Sequence, residues 1–150
     1  MEELSMDRRE AVMGTGLLAL AGLTAAQMAA TEESAHVHHG SHHKALADAA
    51  GTCVGTGQAC LDHCLDLMGN GQKELAACAK SVTQMLSLCS ALQNLANQDA
   101  KYLTKLASVT LDACLDCEEE CKKHADKHEA CKRCAESCAA CAKECKLVAT

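Results

Sequence analysis

The chain has 150 residues, enough for one domain of ordinary size, and a formal net charge of −6. It contains thirteen Cys and one Tyr but no Phe, Trp or Pro, so its core is built without the aromatic side chains that fill most protein interiors. Acidic and basic residues are mixed along the chain and aromatic stacking surface is almost absent, which argues against nucleic-acid binding.

Residues 1–30 are predicted to be a signal peptide of the twin-arginine type. Arg8 and Arg9 precede an uncharged, weakly apolar stretch over residues 11–30 that ends in Ala-rich sequence. The stretch is too rich in Gly, Ala and Thr for a membrane span, so we expect no span once the peptide is removed. Cleavage after Ala26 and cleavage after Ala30 both remain open.

A twin-arginine signal predicts an exported, periplasmic protein that crosses the membrane already folded. Folding before export would keep many thiols away from random oxidation in an oxidising compartment. Asp7 and Glu10 flank the arginine pair and depart from the full consensus, so a cytoplasmic location stays as the alternative.

Residues 31–43 are predicted to form a mobile, His-rich arm. The sequence is TEESAHVHHGSHH, which places five of the eight histidines of the chain within eight residues. It has no apolar periodicity, so it gives no sign of a packed element. Two interpretations stay open: loose capture of metal ions by imidazole, or a solvated polar tail.

Residues 44–150 are predicted to fold as an all-α, antiparallel four-helix bundle. Gly-containing or polar breaks divide the segment into pieces of helical length joined by short connections, which favours an up-down-up-down arrangement. Gly51, Gly55 and Gly57 predict irregular first turns in the first helix. The predicted helices cover about residues 44–68, 72–95, 98–125, and from just after 126 to 147.

The cysteines recur at helical intervals, so each helix is predicted to carry them on one face. Leucines at the other inward positions complete that apolar stripe, and the thiols take the places of core residues in an ordinary bundle. So many converging cysteines would be a poor way to build a purely apolar core. In chain order they are Cys53, Cys60 and Cys64; Cys78 and Cys89, with Met85 between them; Cys114, Cys117 and Cys121; and Cys131, Cys134, Cys138, Cys141 and Cys145, with Leu67, Leu75, Leu86, Leu92, Leu103 and Leu106 as the leucines.

Disulfides within a helix are disfavoured by geometry. Neighbours three or four residues apart on a helix have Cβ atoms about 5–6 Å apart, whereas a disulfide needs about 3.8 Å. The odd number of cysteines would also leave one thiol over. Bridges between helices remain open.

A metal site is therefore the leading interpretation, and Cu(I) fits the thiol ladder best. Cu(I) is soft, selects thiolate and accepts few ligands, so shared thiolates would hold multiple ions, up to about one per Cys. C-x₂-C pairs are present, but they lie inside continuous helical ladders and lack the knuckles of structural zinc sites. The iron–sulfur run C-x₂-C-x₂-C-x₃-C-P is absent.

Two alternatives to Cu(I) storage remain open. One is a zinc or general soft-metal buffer of the metallothionein type. The other is a thiol redox protein, which would need exposed thiols of lowered pKa. No phosphate loop or hydrolase motif is present in the sequence, so we expect no enzyme.

The cysteine segments resemble the bacterial copper storage proteins. The resemblance rests on CVGTGQACLDHCLDLMGNGQKELAACAKSVTQMLSLC at residues 53–89 and on CLDCEEECKKHADKHEACKRCAESCAACAKEC at residues 114–145, and it extends over the whole mature chain. It implies a homotetramer of four-helix bundles, each filled with Cu(I) along its axis through one open end. The stored copper would be buffered and later supplied to copper enzymes, with donor and acceptor proteins left unnamed.

The resemblance also implies particular ligands. The thirteen cysteines carry over as metal ligands, and His63, in the C-x-x-H-C segment, carries over as a ligand near the open end. The family tends to place several methionines there, but this chain keeps only Met68, which is one further candidate. Met85 is better explained as a core residue than as a ligand. His124 and His128 are interpreted as surface histidines.

Overall fold

The computed structural model describes residues 42–150, and the predicted signal peptide and most of the predicted arm lie outside the described residues. Within that range the chain forms four α-helices and no strand, which confirms the all-α prediction. A 3₁₀ turn, Lys73–Leu75, leads into the second helix. The helices are α1 (Lys44–Gly69), α2 (Ala76–Asn97), α3 (Leu103–Lys122) and α4 (Glu129–Val148).

The four helices close into a ring around one core. Each helix packs against the next along the chain, and α4 packs back against α1. The packed pairs are antiparallel: Cys53 of α1 meets Ser137 of α4, whereas Cys60, further along α1, meets the earlier Cys131 of α4. This is the predicted antiparallel four-helix bundle.

The connection between α2 and α3 is longer than the sequence predicts, because α3 begins at Leu103 and not near residue 98. Asp99 adopts the left-handed conformation with φ of 46°. The amide of Asp99 donates to the carbonyl of Ala96, and the amide of Ala100 donates to that of Leu95. This pair of bonds is the Schellman motif, which satisfies the last carbonyls of α2 and turns the chain away.

The same motif ends α1 at the predicted glycine break. Gly71 takes a φ of 94°, and Gln72 donates its amide to the carbonyl of Leu67. The other boundaries differ by a few residues: α3 ends at Lys122 and not at 125, and α4 begins at Glu129.

The prediction of irregular first turns in α1 is wrong, because α1 is helical without interruption through its three glycines. Gly57 is buried where α1 and α2 approach each other. A Cβ at this position would lie 2.6 Å from Met85 Cε and 3.0 Å from Leu86 Cδ2. The helix therefore tolerates glycine here because the missing side chain makes room for Met85.

The core holds thiols along its length and apolar side chains at one end. That end contains the start of α1, the end of α2 and the start of α3, and it is filled by Leu46, Ala50, Leu92, Ala96, Leu103 and Ala107. Of the leucines predicted to face inward, Leu75, Leu92 and Leu103 are buried. Leu67, Leu86 and Leu106 are partly buried against the same core.

The stretch Lys73–Asn97 is the one described helical segment that passes a length and composition test for a membrane span, with a mean hydropathy of 1.3 in its most apolar window. A core helix of a soluble protein passes the same test. Here the segment packs against both α1 and α3, and its cysteines and Met85 face the core.

We expect opposite stability changes from two glycine-to-alanine substitutions in α1. Gly55 is exposed and nothing lies within 4 Å of a Cβ built there, so Gly55→Ala is expected to raise the free energy of unfolding by about 0.5–1 kcal/mol. Gly57→Ala brings the same gain in helix propensity but crowds Met85 and Leu86. This overpacking is expected to lower the free energy of unfolding by about 1–3 kcal/mol, which outweighs the gain. Denaturant unfolding of the reduced, metal-free variants measures both, and equal stabilisation by the two would contradict the packing argument.

Candidate metal centre

All thirteen cysteines lie in the interior of the bundle, as the helical spacing predicts, and each is completely buried and unpaired by any disulfide. Neighbouring sulfurs lie 3.5–4.0 Å apart, far beyond a disulfide bond of about 2.05 Å. The interior is therefore a continuous set of reduced thiols. The closest pairs are Cys60–Cys131, Cys64–Cys78, Cys78–Cys121, Cys89–Cys114, Cys117–Cys121, Cys117–Cys134 and Cys141–Cys145.

The sulfurs fall into three clusters along the bundle axis. The outer cluster lies at the end that holds the α1–α2 and α3–α4 connections, the inner cluster lies toward the leucine-filled end, and the middle cluster lies between them. The outer cluster is Cys60, Cys64, Cys78, Cys121 and Cys131; the middle cluster is Cys117, Cys134 and Cys138; and the inner cluster is Cys53, Cys89, Cys114, Cys141 and Cys145.

Several groups of three or four sulfurs are compact enough to hold a metal ion. Cys53, Cys89, Cys114 and Cys141 all lie within 4.8 Å of one another, and so do four members of the outer cluster. The groups also overlap, since Cys134 belongs both to a group with Cys117 and Cys138 and to one with Cys60 and Cys121. Overlapping groups allow one thiolate to bridge two ions, which a set of separate closed sites does not.

The sulfur–sulfur distances also fit zinc. A tetrahedral zinc with Zn–S bonds of about 2.3 Å needs sulfurs about 3.8 Å apart, and either four-sulfur group is close to that size. Of the remaining sulfurs, Cys117, Cys121, Cys134 and Cys138 belong to two groups of three that share Cys134, which suits a metal of lower coordination number.

Burial favours neutral thiols in the empty protein. Burial, followed by the nearby Cys60, Cys78 and Cys131, raises the pKa of Cys64. The contact with Cys60 lowers the pKa of Cys131, but the contact with Cys78 and burial outweigh it and raise that pKa to about 11. Many bare thiolates in one apolar interior would repel one another without compensation.

Hydrogen bonds between thiols distribute the protons unevenly. The contact with Cys121 lowers the pKa of Cys60, but contacts with Cys131 and Cys134 outweigh it, and the pKa of Cys60 is raised to about 12. Contacts with Cys121 and Cys131 lower the pKa of Cys78. The sulfurs that accept hydrogen bonds are thus the ones most ready to bind a cation.

Cys53 is tied to the backbone of α4. Its thiol donates a hydrogen bond to the carbonyl oxygen of Ser137 at 3.1 Å. The Ser137 hydroxyl in turn donates to the carbonyl of Cys134 and lies 2.5 Å from the Thr56 hydroxyl of α1. This polar contact fixes α1 against α4 at the level of the middle and inner clusters.

Two histidines meet at the outer end of the bundle. His63 Nε2 lies 3.1 Å from His128 Nδ1, and both side chains are partly buried. Burial, followed by the charges of His63, His124 and Lys127, lowers the pKa of His128. His128, interpreted from the sequence as a surface histidine, is half-buried and in contact with His63. His124 is partly buried as well.

The structure places the two candidate methionines apart. Met85 is fully buried in α2 with its methyl group beside Gly57, as expected of a core residue. Met68 lies in the last turn of α1, partly buried against the core. Metal binding by Met68, Met85 and His63 stays a prediction.

Comparison with known proteins agrees with this geometry. Apo copper storage protein 3 from Bacillus subtilis superposes with a TM-score of 0.64 and 24% identity, over 73% of this chain and 100% of that one. The Cu(I)-bound copper storage protein BsCsp3 gives the same score and identity, over 71% of this chain and 97% of that one. At this identity the likeness shows a shared fold. No curated protein matches the sequence.

The sequence comparison covers the bundle and reaches into the His-rich segment. Residues 38–150, three quarters of the chain, match the family described as copper storage protein. The match includes all thirteen cysteines, and those residues are the ones that the structure gathers into the buried core. This chain belongs to the copper storage protein family.

Proposed function

We propose that the chain stores Cu(I) as a column of thiolate-bridged ions along the bundle axis, up to about one ion per cysteine. One observation carries the proposal: all thirteen thiols are buried and free, and twelve of them fall into four compact groups, three of which share members. Shared thiolates allow more ions than four-ligand sites would, which is what a store needs. The ions are cargo that is bound and released.

Charge balance makes such a column stable in an apolar interior. Each Cu(I) that binds displaces a thiol proton and cancels the charge of one thiolate, so the filled core stays close to neutral. The helices already hold the sulfurs within reach of one another, so loading needs little rearrangement of the backbone. Copper taken up in this way is shielded from solvent by the bundle.

We propose that copper passes through the outer end of the bundle. The opposite end is closed by Leu46, Leu92 and Leu103, which offer no ligand to a metal ion. At the outer end, Cys64, His63 and His128 lie close to the helix connections. A soft ion arriving there meets imidazole and thiolate in succession.

The burial of the thiols supports a storage role over a thiol-redox one. A redox-active cysteine is partly exposed so that a partner disulfide can reach it. In the part of the chain that the structure describes, no cysteine is exposed. Zinc buffering remains the second candidate because two groups of four sulfurs suit zinc.

Anaerobic titration of the reduced protein with Cu(I) in competition with a chelator tests the storage proposal. We expect about one Cu(I) per cysteine, helix content by circular dichroism nearly unchanged, and displacement of preloaded Zn²⁺ by Cu(I). Saturation at three or four ions per chain would contradict storage, and retention of zinc against Cu(I) would favour the zinc buffer.

Copper affinity is expected to rise with pH. The thiols with raised pKa, about 11 for Cys131 and about 12 for Cys60, hold their protons at neutral pH, and Cu(I) must displace them. Between about pH 6 and about pH 8, each ion that displaces one proton binds about tenfold more tightly per pH unit, and acid favours release. Chelator competition at several pH values measures this, after correction for the protonation of the chelator itself. A copper affinity that does not change with pH would mean that the empty core already holds thiolates.

We further propose that the protein is exported by the twin-arginine route and assembles as a homotetramer. The arginine pair supports the first proposal, and exposed apolar side chains such as Leu65, Val109 and Leu115 provide contact area for the second.

Expression of the full chain in a bacterium with twin-arginine machinery tests both points on one sample. We expect protein in the periplasmic fraction, an N-terminus generated after Ala26 or Ala30, and the native mass of a tetramer. Replacement of both Arg8 and Arg9 by Lys is the matched control and should retain the protein inside the cell. Cytoplasmic protein with Met1 intact would contradict export, and a monomeric mass would contradict the assembly.

A further inference from the structure

One pair of hydroxyl groups joins two helices beside the sulfur core. Thr56 Oγ1 of α1 lies 2.5 Å from Ser137 Oγ of α4. In the part of the chain that the structure describes, the other hydroxyls that form hydrogen bonds donate to the carbonyl four residues earlier in their own helix. They are Thr52, Thr83, Ser87, Ser90 and Thr110. The Thr56–Ser137 pair is thus a contact between helices, which the geometry of a single helix does not require.

The hydroxyl pair lies next to the thiol of Cys53. Thr56 follows Cys53 by one helical turn, and the Cys53 thiol donates to the carbonyl oxygen of Ser137 at 3.1 Å. Ser137 therefore contacts α1 twice, once at the thiol and once at the helix that carries it. The side chain of Ser137 is buried, so water competes little for these hydrogen bonds.

The neighbouring buried positions of α1 are small and fix the helix weakly. Ala50 and Gly57 are the buried residues one turn before and one turn after Cys53. Small residues offer few atoms for packing contacts. On the α2 side, the methyl group of Met85 packs against Gly57. On the α4 side, the Thr56–Ser137 pair supplies a directional contact at the same height.

The position of Cys53 matters because it is the α1 sulfur of a four-sulfur group. That group takes one sulfur from each helix, and all four lie within 4.8 Å of one another. The proton of Cys53 points toward the backbone of α4, which leaves the lone pairs of its sulfur free for a metal ion in the group. A sideways shift of α1 would move this sulfur away from the other three.

The hydroxyl pair can hold α1 in both the empty and the filled protein. When Cu(I) binds Cys53, the thiol proton leaves to solvent and the sulfur exchanges its hydrogen bond with Ser137 for a bond to the metal. The hydroxyls of Thr56 and Ser137 carry no charge and take no part in that exchange. Their hydrogen bond is therefore the part of this contact that loading leaves intact.

We propose that Thr56 and Ser137 are positioning residues for the Cys53 ligand, and that their hydrogen bond raises the Cu(I) affinity of the four-sulfur group to which Cys53 belongs. The inference rests on the proposed storage function and deepens it. Neither hydroxyl binds the metal. The pair acts by holding α1 against α4 at the height of Cys53.

Thr56→Val tests the role of the hydroxyl pair because valine keeps the branched shape of threonine and removes the hydroxyl. Anaerobic titration of the reduced protein with Cu(I), in competition with a chelator at fixed pH, gives the number of bound ions at each free Cu(I) concentration. In this variant we expect about four ions to need about threefold to tenfold more free Cu(I) than in wild type. The total capacity should stay at about one ion per cysteine.

Thr110→Val is the matched control. Thr110 is completely buried and precedes Cys114 of the same four-sulfur group by one turn, but its hydroxyl donates to Leu106 of its own helix. We expect Thr110→Val to bind Cu(I) as wild type does. Thr56→Ser keeps a hydroxyl and should restore the affinity that Thr56→Val loses.

Ser137→Ala repeats the test from α4 and should weaken the same ions. Circular dichroism shows whether each variant keeps its helices.

A double-mutant cycle with Cys53→Ser separates positioning from a general effect on the fold. If Thr56 acts through Cys53, then Thr56→Val should cause no further loss of Cu(I) affinity once Cys53 is serine. A general effect on packing would lower the affinity by the same factor in both backgrounds.

The outcomes also separate this inference from the storage proposal. If wild type binds about thirteen ions but folded Thr56→Val and Ser137→Ala bind Cu(I) as Thr110→Val does, the positioning role is overturned and storage stands. An equal loss of affinity with and without Cys53 would overturn it as well. If wild type saturates at three or four ions, storage fails on the wild type alone, and the positioning role that rests on it falls too.

Discussion

The fold and the function both depend on the distance between sulfurs. At 3.5–4.0 Å, neighbouring thiols are too far apart to be a disulfide and close enough to share a metal ion. Two geometries set that distance together: the three- and four-residue repeat along each helix, and the antiparallel packing that brings rows from adjacent helices face to face. A core of larger side chains would push the helices apart and lose the sharing of ligands, which explains why Phe and Trp are absent from the sequence.

The sequence predicts most of this site because the helical period alone decides which face a residue occupies. All thirteen cysteines and Met85 were assigned inward on spacing, and all are buried. Spacing does not give the height at which rows from different helices meet. The grouping into three clusters depends on that height. The late start of α3 was missed because no glycine marks the turn at Asp99, where φ is 46°.

Glycine and histidine show two further limits of sequence reasoning. By helix propensity alone Gly57 predicts a weak or irregular helix, yet packing against Met85 makes it suitable for the interface, so tertiary contact outweighs propensity. His128 has no distinguishing neighbour in the sequence, and its contact with His63 arises only when α1 and α4 lie side by side. In both cases the decisive contact joins residues far apart along the chain.

One group within the inner cluster takes a sulfur from each of the four helices: Cys53, Cys89, Cys114 and Cys141. An ion bound there cross-links the helices in addition to being stored, because the bundle cannot open until the metal has left. Ligands that bind only the folded state stabilise it by mass action and slow its opening. The lifetime of the polypeptide is thereby coupled to its load, because a filled molecule is expected to open less often, and so to resist proteases longer, than an empty one.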